Sequence, residues 1–193
     1  AIQIARRAGA MIFATASRGK WPFLREQGIE HIFDSRSLDY RAAILATAEG
    51  QGVDIVLDSM AGEHVEASLG SLAKGGCFIE LGKSGTWTKD EVSSARPDVS
   101  YSIFDMGDLL AGAPDLYASL RSDLCRAFES REFEAPRLRV FDLGQTRAAF
   151  RHLAAARNVG KVAISFPTRH DAGHVVRAGA AYLITGGLGS LGL

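Results

Sequence analysis

Two cysteines, five histidines and no excess of either charge are what this 193-residue chain has to work with, and each scarcity removes a class of function. Cys77 and Cys125 show no metal-ligand spacing, and two thiols build no disulfide framework, so both are read as core thiols of a reduced protein. His31, His64 and His152 are scattered. His170 and His174 stand four apart beside Asp171 but have neither a helix pattern nor a third ligand, so no metal site is expected. Basic and acidic residues number 22 each. With no basic stripe, nucleic acid is excluded as a partner. No apolar run approaches the roughly 20 residues of a bilayer span, and Ala1 to Gly9 lacks a signal-peptide core. The expectation is a soluble cytoplasmic protein without a membrane partner.

What the chain does have is alternation. GVDIVLDSMAGEHVEASLGSLAKGGCFIELGK, from Gly52 to Lys83, reads as strand, helix, strand. VDIVL and CFIEL are short branched apolar runs suited to strands buried on both faces. Between them Val65, Leu69 and Leu72 recur at helical spacing, and Gly75 is expected to end that helix. Such a unit belongs to a parallel sheet, and ligands of these sheets lie beyond the carboxyl ends of the strands. Those ends are Asp58-Ser59 and Gly82-Lys83, which makes Ser59 and Gly82 candidate cofactor contacts.

The same alternation runs along the rest of the chain. Helical spacing over Ile2 to Ala8, the strand MIFATA, a short helix from Trp21 to Gln27, a strand at His31 to Phe33 and a helix over Leu38 to Ala48 precede the central unit. After Lys83 the polar stretch TWTKDEVSSARPDVS is read as a mobile excursion. Then come the strand YSIF, a helix from Leu116 to Phe128 with Leu116, Leu120, Leu124 and Phe128 four apart, and a strand at Leu138 to Phe141. A helix over Gln145 to Ala156 and the strand GKVAISF close the series. The fold class is therefore α/β, a doubly wound parallel sheet of Rossmann type.

Residues 167–179 are short on apolar groups and rich in breakers, and are expected to be a linker between 1–166 and 180–193. Beyond it Ala180 to Ile184 reads as the first strand of a second Rossmann-like domain. That strand runs into Thr185, Gly186, Gly187, Gly189 and Gly192, a glycine-rich turn that lets a backbone approach a pyrophosphate.

Three separated stretches, IARRAGAMIFATASRGKW, the 52–83 unit and RHLAAARNVGKVAISFP, resemble in order and spacing the enoyl reductase domain of type I polyketide and fatty acid synthases, within the medium-chain reductase superfamily. YLITGGLGSLG resembles the opening of the ketoreductase domain that commonly follows. The resemblance implies an NADPH-dependent reduction of an enoyl thioester, carried on the phosphopantetheine of an acyl carrier domain and flanked by other synthase domains. It also places the family's phosphate loop and substrate barrel before Ala1, so the chain is expected to be an N-terminally truncated cofactor domain, inactive alone. Members of the family often carry Asn where this chain has Asp58. A free-standing quinone-reductase-like enzyme and a non-catalytic nucleotide-binding scaffold are the rival readings.

Site residues follow from both lines of reasoning. Ser17, Arg18 and Lys20 come directly after the MIFATA strand, where an NAD enzyme would carry an acid for the ribose hydroxyls; a hydroxyl and two cations suit a 2′-phosphate instead. Lys83 and Asp105 fall at the ends of ELGK and YSIFD. The resemblance implies that they assist proton delivery to the substrate α-carbon, a role that a lysine oriented by a carboxylate can fill. Asn158, Val159, Gly160 and Lys161 match the family's NVGK segment, which passes close to the cofactor, and Gly160 would permit that approach.

Overall fold

A computed structural model describes residues 1–82, 85–156 and 158–166. Lys83, the 167–179 linker and the 180–193 segment with Thr185, Gly186, Gly187, Gly189 and Gly192 lie outside the described residues. The chain divides into two units, Ala1–Ala135 and Pro136–Leu193, a boundary that falls inside the 1–166 stretch read as one from sequence.

The first unit alternates as expected. Helix α1 (Ile2–Arg7), strand β1 (Phe13–Ala16), a 3-10 turn (Arg18–Lys20), α2 (Trp21–Glu26), β2 (His31–Asp34) and α3 (Tyr40–Thr47) lead into the central β3 (Val53–Asp58), α4 (Glu63–Leu69) and β4 (Leu72–Glu80). Helix α5 (Lys89–Ala95), strand β5 (Ser100–Ile103), and helices α6 (Met106–Gly112) and α7 (Pro114–Glu129) follow. β1 pairs with β2, and β3, β4 and β5 lie in that order in a second sheet. Every pairing is parallel, so the carboxyl ends in each sheet face one way.

Two predicted elements differ from the structure. The central helix stops at Leu69 and Leu72 already belongs to β4, so the apolar spacing Val65, Leu69, Leu72 joins two elements. The register moves from Val53↔Leu72 to Ile55↔Cys77, which leaves an excursion whose left-handed residue is Gly75, at φ 75°. The glycine serves this irregularity in the strand and not a helix end. The polar stretch after Lys83 is also ordered in part. Thr88 Oγ1 accepts from Glu91 N at 3.3 Å while the Glu91 carboxylate accepts from Thr88 N at 2.7 Å. This reciprocal cap satisfies two free donors and starts α5, which carries Val92 into the core at 1% exposure.

Val65, Leu69, Leu72, Phe78 and Val92 form that core, with Val56, Trp87 and Tyr101 packed against it. A smaller cluster of Tyr40, Ile44 and Ala67 takes in Phe13 of β1, Phe33 of β2 and Val53 of β3, so α3 ties the two sheets together. Arg96 fastens the excursion in β4. Its guanidinium donates to the carbonyls of Leu69, Leu72 and Ala73 and to the Asp98 carboxylate, while Asp98 also accepts from Gly75 N. Cys77 is half-buried but Cys125 is exposed on α7, which corrects its reading as a core thiol. The α7 stripe Leu116, Leu120, Leu124 and Phe128 is likewise 40 to 52% exposed.

In the second unit β6 (Leu138–Asp142) pairs in parallel with β7 (Lys161–Ser165), joined through α8 (Thr146–Ala154). Phe141 and Ala149 supply its buried apolar contacts.

Phe78→Ala, at a side chain with 0% exposure, is expected to cost roughly 3–5 kcal/mol in urea unfolding. Leu57→Ala on the same sheet, 50% exposed, should stay within about 0.5 kcal/mol. A second expectation concerns acid. The Arg96 guanidinium, and then the Gly75 N–H, hold the Asp98 carboxyl well below its ordinary value of 3.8. A carboxyl depressed on folding stabilises above its unfolded value and loses that contribution as pH falls through the acid range. Arg96→Met should therefore flatten the acid limb of a melting-temperature profile; an unchanged limb would assign acid sensitivity elsewhere.

Candidate functional site

Two sets of strand ends carry polar groups. At the first, Ala16 and Asp34 are register partners closing β1 and β2. The Ala16 carbonyl accepts from the Trp21 indole Nε1 at 2.9 Å and from Ser35 N at 3.2 Å, which bolts the following turn to the neighbouring strand. Ser17 opens that turn, closed by Lys20 N donating to its carbonyl at 2.8 Å. The Arg18 guanidinium lies 5.7 Å from the centre of the Trp21 ring, and its Nε donates to Asp34 Oδ2 at 3.0 Å. Asp34 also accepts from Arg36 N at 3.1 Å. The Arg36 N–H first, and Arg18 second, hold its carboxyl below its ordinary value.

Sequence reasoning missed Asp34. No acid stands directly after β1, and the acid that meets Arg18 ends the adjacent parallel strand. The signal was the HIFD run, with its acid at the last position of a short strand.

At the second set, Asp58 and Glu80 are register partners closing β3 and β4, at 4% and 0% exposure. Each bolts a turn. Asp58 Oδ1 accepts from Met60 N at 2.9 Å, and Glu80 Oε1 accepts from Gly82 N at 2.5 Å. Asp58 Oδ2 and Glu80 Oε2 are buried with no hydrogen-bond partner. Buried acceptors are almost always satisfied, so two on one sheet face are a marked exception. Ser59 sits exposed between the Asp58 and Met60 anchors. Gly82 leaves room for the Glu80 carboxylate, since a Cβ there would stand 2.7 Å from Glu80 Oε1 and 3.0 Å from Thr86 Cγ2 and would force one of them to shift.

The field of these carboxylates reaches two phenols. Burial, followed by Glu80 and Asp58, pushes the Tyr101 hydroxyl up. Burial and Asp58 do the same at Tyr40, against the opposing hydrogen bond with Ser68. Asp105 lies beyond β5, which ends at Ile103, and caps α6 by accepting from Gly107 N at 2.6 Å. Phe104 N donates to the Glu80 carbonyl at 2.8 Å, so Asp105 begins one residue from the β4 end. Lys83, its expected companion, lies outside the described residues.

Asn158, Val159, Gly160 and Lys161 stand in the second unit, before and at the start of β7. Gly160 has φ 79°, and a Cβ on it would fall 2.1 Å from the Arg137 carbonyl oxygen. Lys161 N donates to that same oxygen at 2.7 Å. The glycine thus lets the chain cross Arg137 closely, and Val159 joins Arg137, Arg139 and His152 around a cavity of about 260 Å³.

Parallel βα units with polar groups gathered at the strand ends define a nucleotide-binding α/β subdomain. The chain belongs to the zinc-binding dehydrogenase family, whose pattern matches residues 27–164. It is similar to CurK enoyl reductase, with 43% identity and a TM-score of 0.81 over 86% of this chain and 50% of that one. The nucleotide-binding subdomain of the enoylreductase domain of PpsC from Mycobacterium tuberculosis is 33% identical, with a TM-score of 0.60 over 69% of this chain and 76% of that one. Among curated relatives, the phenolphthiocerol synthesis polyketide synthase Pks15/1 of Mycobacterium marinum is 39% identical over the whole of this chain. The chain spans 9% of the length of that relative. Despite the family's description, no group of three or more His, Cys, Asp or Glu side chains among the described residues could hold a metal ion, so these residues offer zinc no donor set. No helix among them is long and apolar enough to cross a membrane.

Asp58→Asn would keep an acceptor for Met60 N and place an amide donor beside Glu80, the cross-strand neighbour. It is expected to raise the unfolding midpoint. Asp58→Leu strands the Met60 N–H and should cost about 1–3 kcal/mol. If both substitutions destabilise equally, the carboxylate itself, not its acceptor geometry, is what the site requires.

Proposed function

We propose that this chain is the cofactor-binding part of an NADPH-dependent enoyl reductase domain in a multidomain polyketide synthase, reducing an enoyl thioester on an acyl carrier domain. The observation that carries this reading is the likeness to CurK enoyl reductase at 43% identity and a TM-score of 0.81. Relatives that are polyketide synthases favour it over a free-standing quinone-reductase-like enzyme.

A nicotinamide, when bound, supplies the hydride that adds to the substrate β-carbon. The chain's own residues then have two tasks. Ser17, Arg18 and Lys20 hold the 2′-phosphate: Arg18 meets Asp34 through Nε, and a guanidinium fork matches a phosphate in a way a ribose hydroxyl cannot exploit. Ser59 and Gly82 of the first unit are candidate contacts for the rest of the cofactor, and Asn158, Val159, Gly160 and Lys161 of the second unit are candidates by their match to the family's NVGK segment. Lys83, next in the chain after Gly82, delivers a proton to the α-carbon as charge develops there. Asp105 orients it from the α6 cap. The hydrogen bond from Gly82 N to Glu80 fixes the end of β4 that precedes Lys83 in the chain, and this supports the assignment.

Arg18→Ala combined with Lys20→Ala, in the whole protein that carries this chain, should weaken NADPH binding by about tenfold or more per lost contact while NADH binding is unchanged or tighter. Equal losses would remove the phosphate assignment. Lys83→Ala or Asp105→Ala should lower turnover of a short enoyl thioester roughly 100-fold or more with NADPH affinity retained. Full turnover in the double variant would return both residues to structural roles.

A further inference from the structure

We propose that Asp34 is a positioning residue for cofactor choice: it holds Arg18 edge-on so that the guanidinium fork faces a 2′-phosphate, and it is itself the ribose-binding acid that Arg18 keeps occupied. The inference rests on the reading of Ser17 to Lys20 as the phosphate turn.

The register of β1 and β2 places the acid. Because Ala16 and Asp34 are partners, the acid stands level with the first residues after β1, the place from which a carboxylate receives ribose hydroxyls in this class of sheet. Its oxygens are taken by two donors. Oδ1 accepts from Arg36 N and Oδ2 from Arg18 Nε. The side chain is 25% exposed, whereas that of Arg18 is 79% exposed. An ion pair this open to water adds little to stability, so its effect lies in where it points the cation.

That direction is defined on two sides. The indole of Trp21 lies under the guanidinium, and Trp21 is fixed by its own hydrogen bond to the Ala16 carbonyl. The carboxylate takes Nε, one of the five N–H donors of an arginine, and the four on the terminal nitrogens remain for a ligand. A long side chain that would otherwise spend its rotamer freedom on binding is held before the phosphate arrives. The pair also cancels its own charge. Selectivity therefore comes from the aim of the fork, with Lys20 providing the net positive charge of the turn.

Asp34→Asn is the informative variant, since its amide oxygen still accepts from Arg36 N and keeps the β2 turn. Its amide nitrogen meets Arg18 Nε donor to donor and releases the guanidinium. Dissociation constants for NADPH, NADH and adenosine 2′,5′-bisphosphate would be measured by calorimetry on the whole protein, beside Arg18→Ala and the double variant Arg18→Ala with Asp34→Asn. The expected result for Asp34→Asn is about tenfold weaker binding of NADPH and the bisphosphate, with NADH within about twofold. Arg18→Ala frees the acid and should tighten NADH, a gain that vanishes in the double variant. An unchanged NADPH-to-NADH ratio in Asp34→Asn, or tighter NADPH, overturns the role of Asp34 while a loss in Arg18→Ala leaves the phosphate reading standing. If Arg18→Ala also fails to move the ratio, the phosphate turn falls and this inference with it.

Discussion

The wholly buried ring of Phe78 is the contact on which the central unit depends. It sits on the middle strand β4, and Val65 and Leu69 of α4, Val92 of α5 and Leu72 of its own strand all pack with it in one cluster. Burial of this kind fixes register, because a one-residue slip would turn every side chain of β4 to the other face. Glu80, two residues further on, is therefore carried to the same face, beside its register partner Asp58, while Val56, the register partner of Phe78, packs against the same cluster. The apolar core and the polar mouth of the crevice are set by one alternation along one strand.

At that mouth the carboxylates are held by packing and hold backbone in turn. One oxygen of each fastens a turn, and the other has no partner. The β1–β2 ends show a different arrangement, with Arg18 and Asp34 exposed enough to meet a ligand and fixed through Trp21 and the Ala16 carbonyl. One pair of strand ends is dry and rigidifying. The other is wet and available.

Most of the architecture was legible because it follows from periodicity. Apolar runs bounded by glycine marked β3 and β4, and the four-residue spacing marked α7. What escaped was decided by chemistry that periodicity does not register. The cap at Thr88 and Glu91 was readable as a T-x-x-E pattern, but the polar composition around it favoured a loop. Leu72 continued a helical spacing yet begins a strand, because apolar contacts from two elements can share one period. Asp34 was invisible for a topological reason: its partner Arg18 is 16 residues away and meets it only through parallel pairing. The close approach of Gly160 to the Arg137 carbonyl was likewise out of reach, because it joins residues 23 apart through parallel pairing.

All strand partners in the described residues lie between 18 and 23 positions apart along the chain, from Phe13 with His31 to Leu138 with Lys161. Each pairing closes soon after its second strand has been synthesised, and short-range closures carry a small entropic penalty. Strand pairing among the described residues therefore needs no distant partner, whereas α1 does, since Gln3 meets Glu134 across 131 residues.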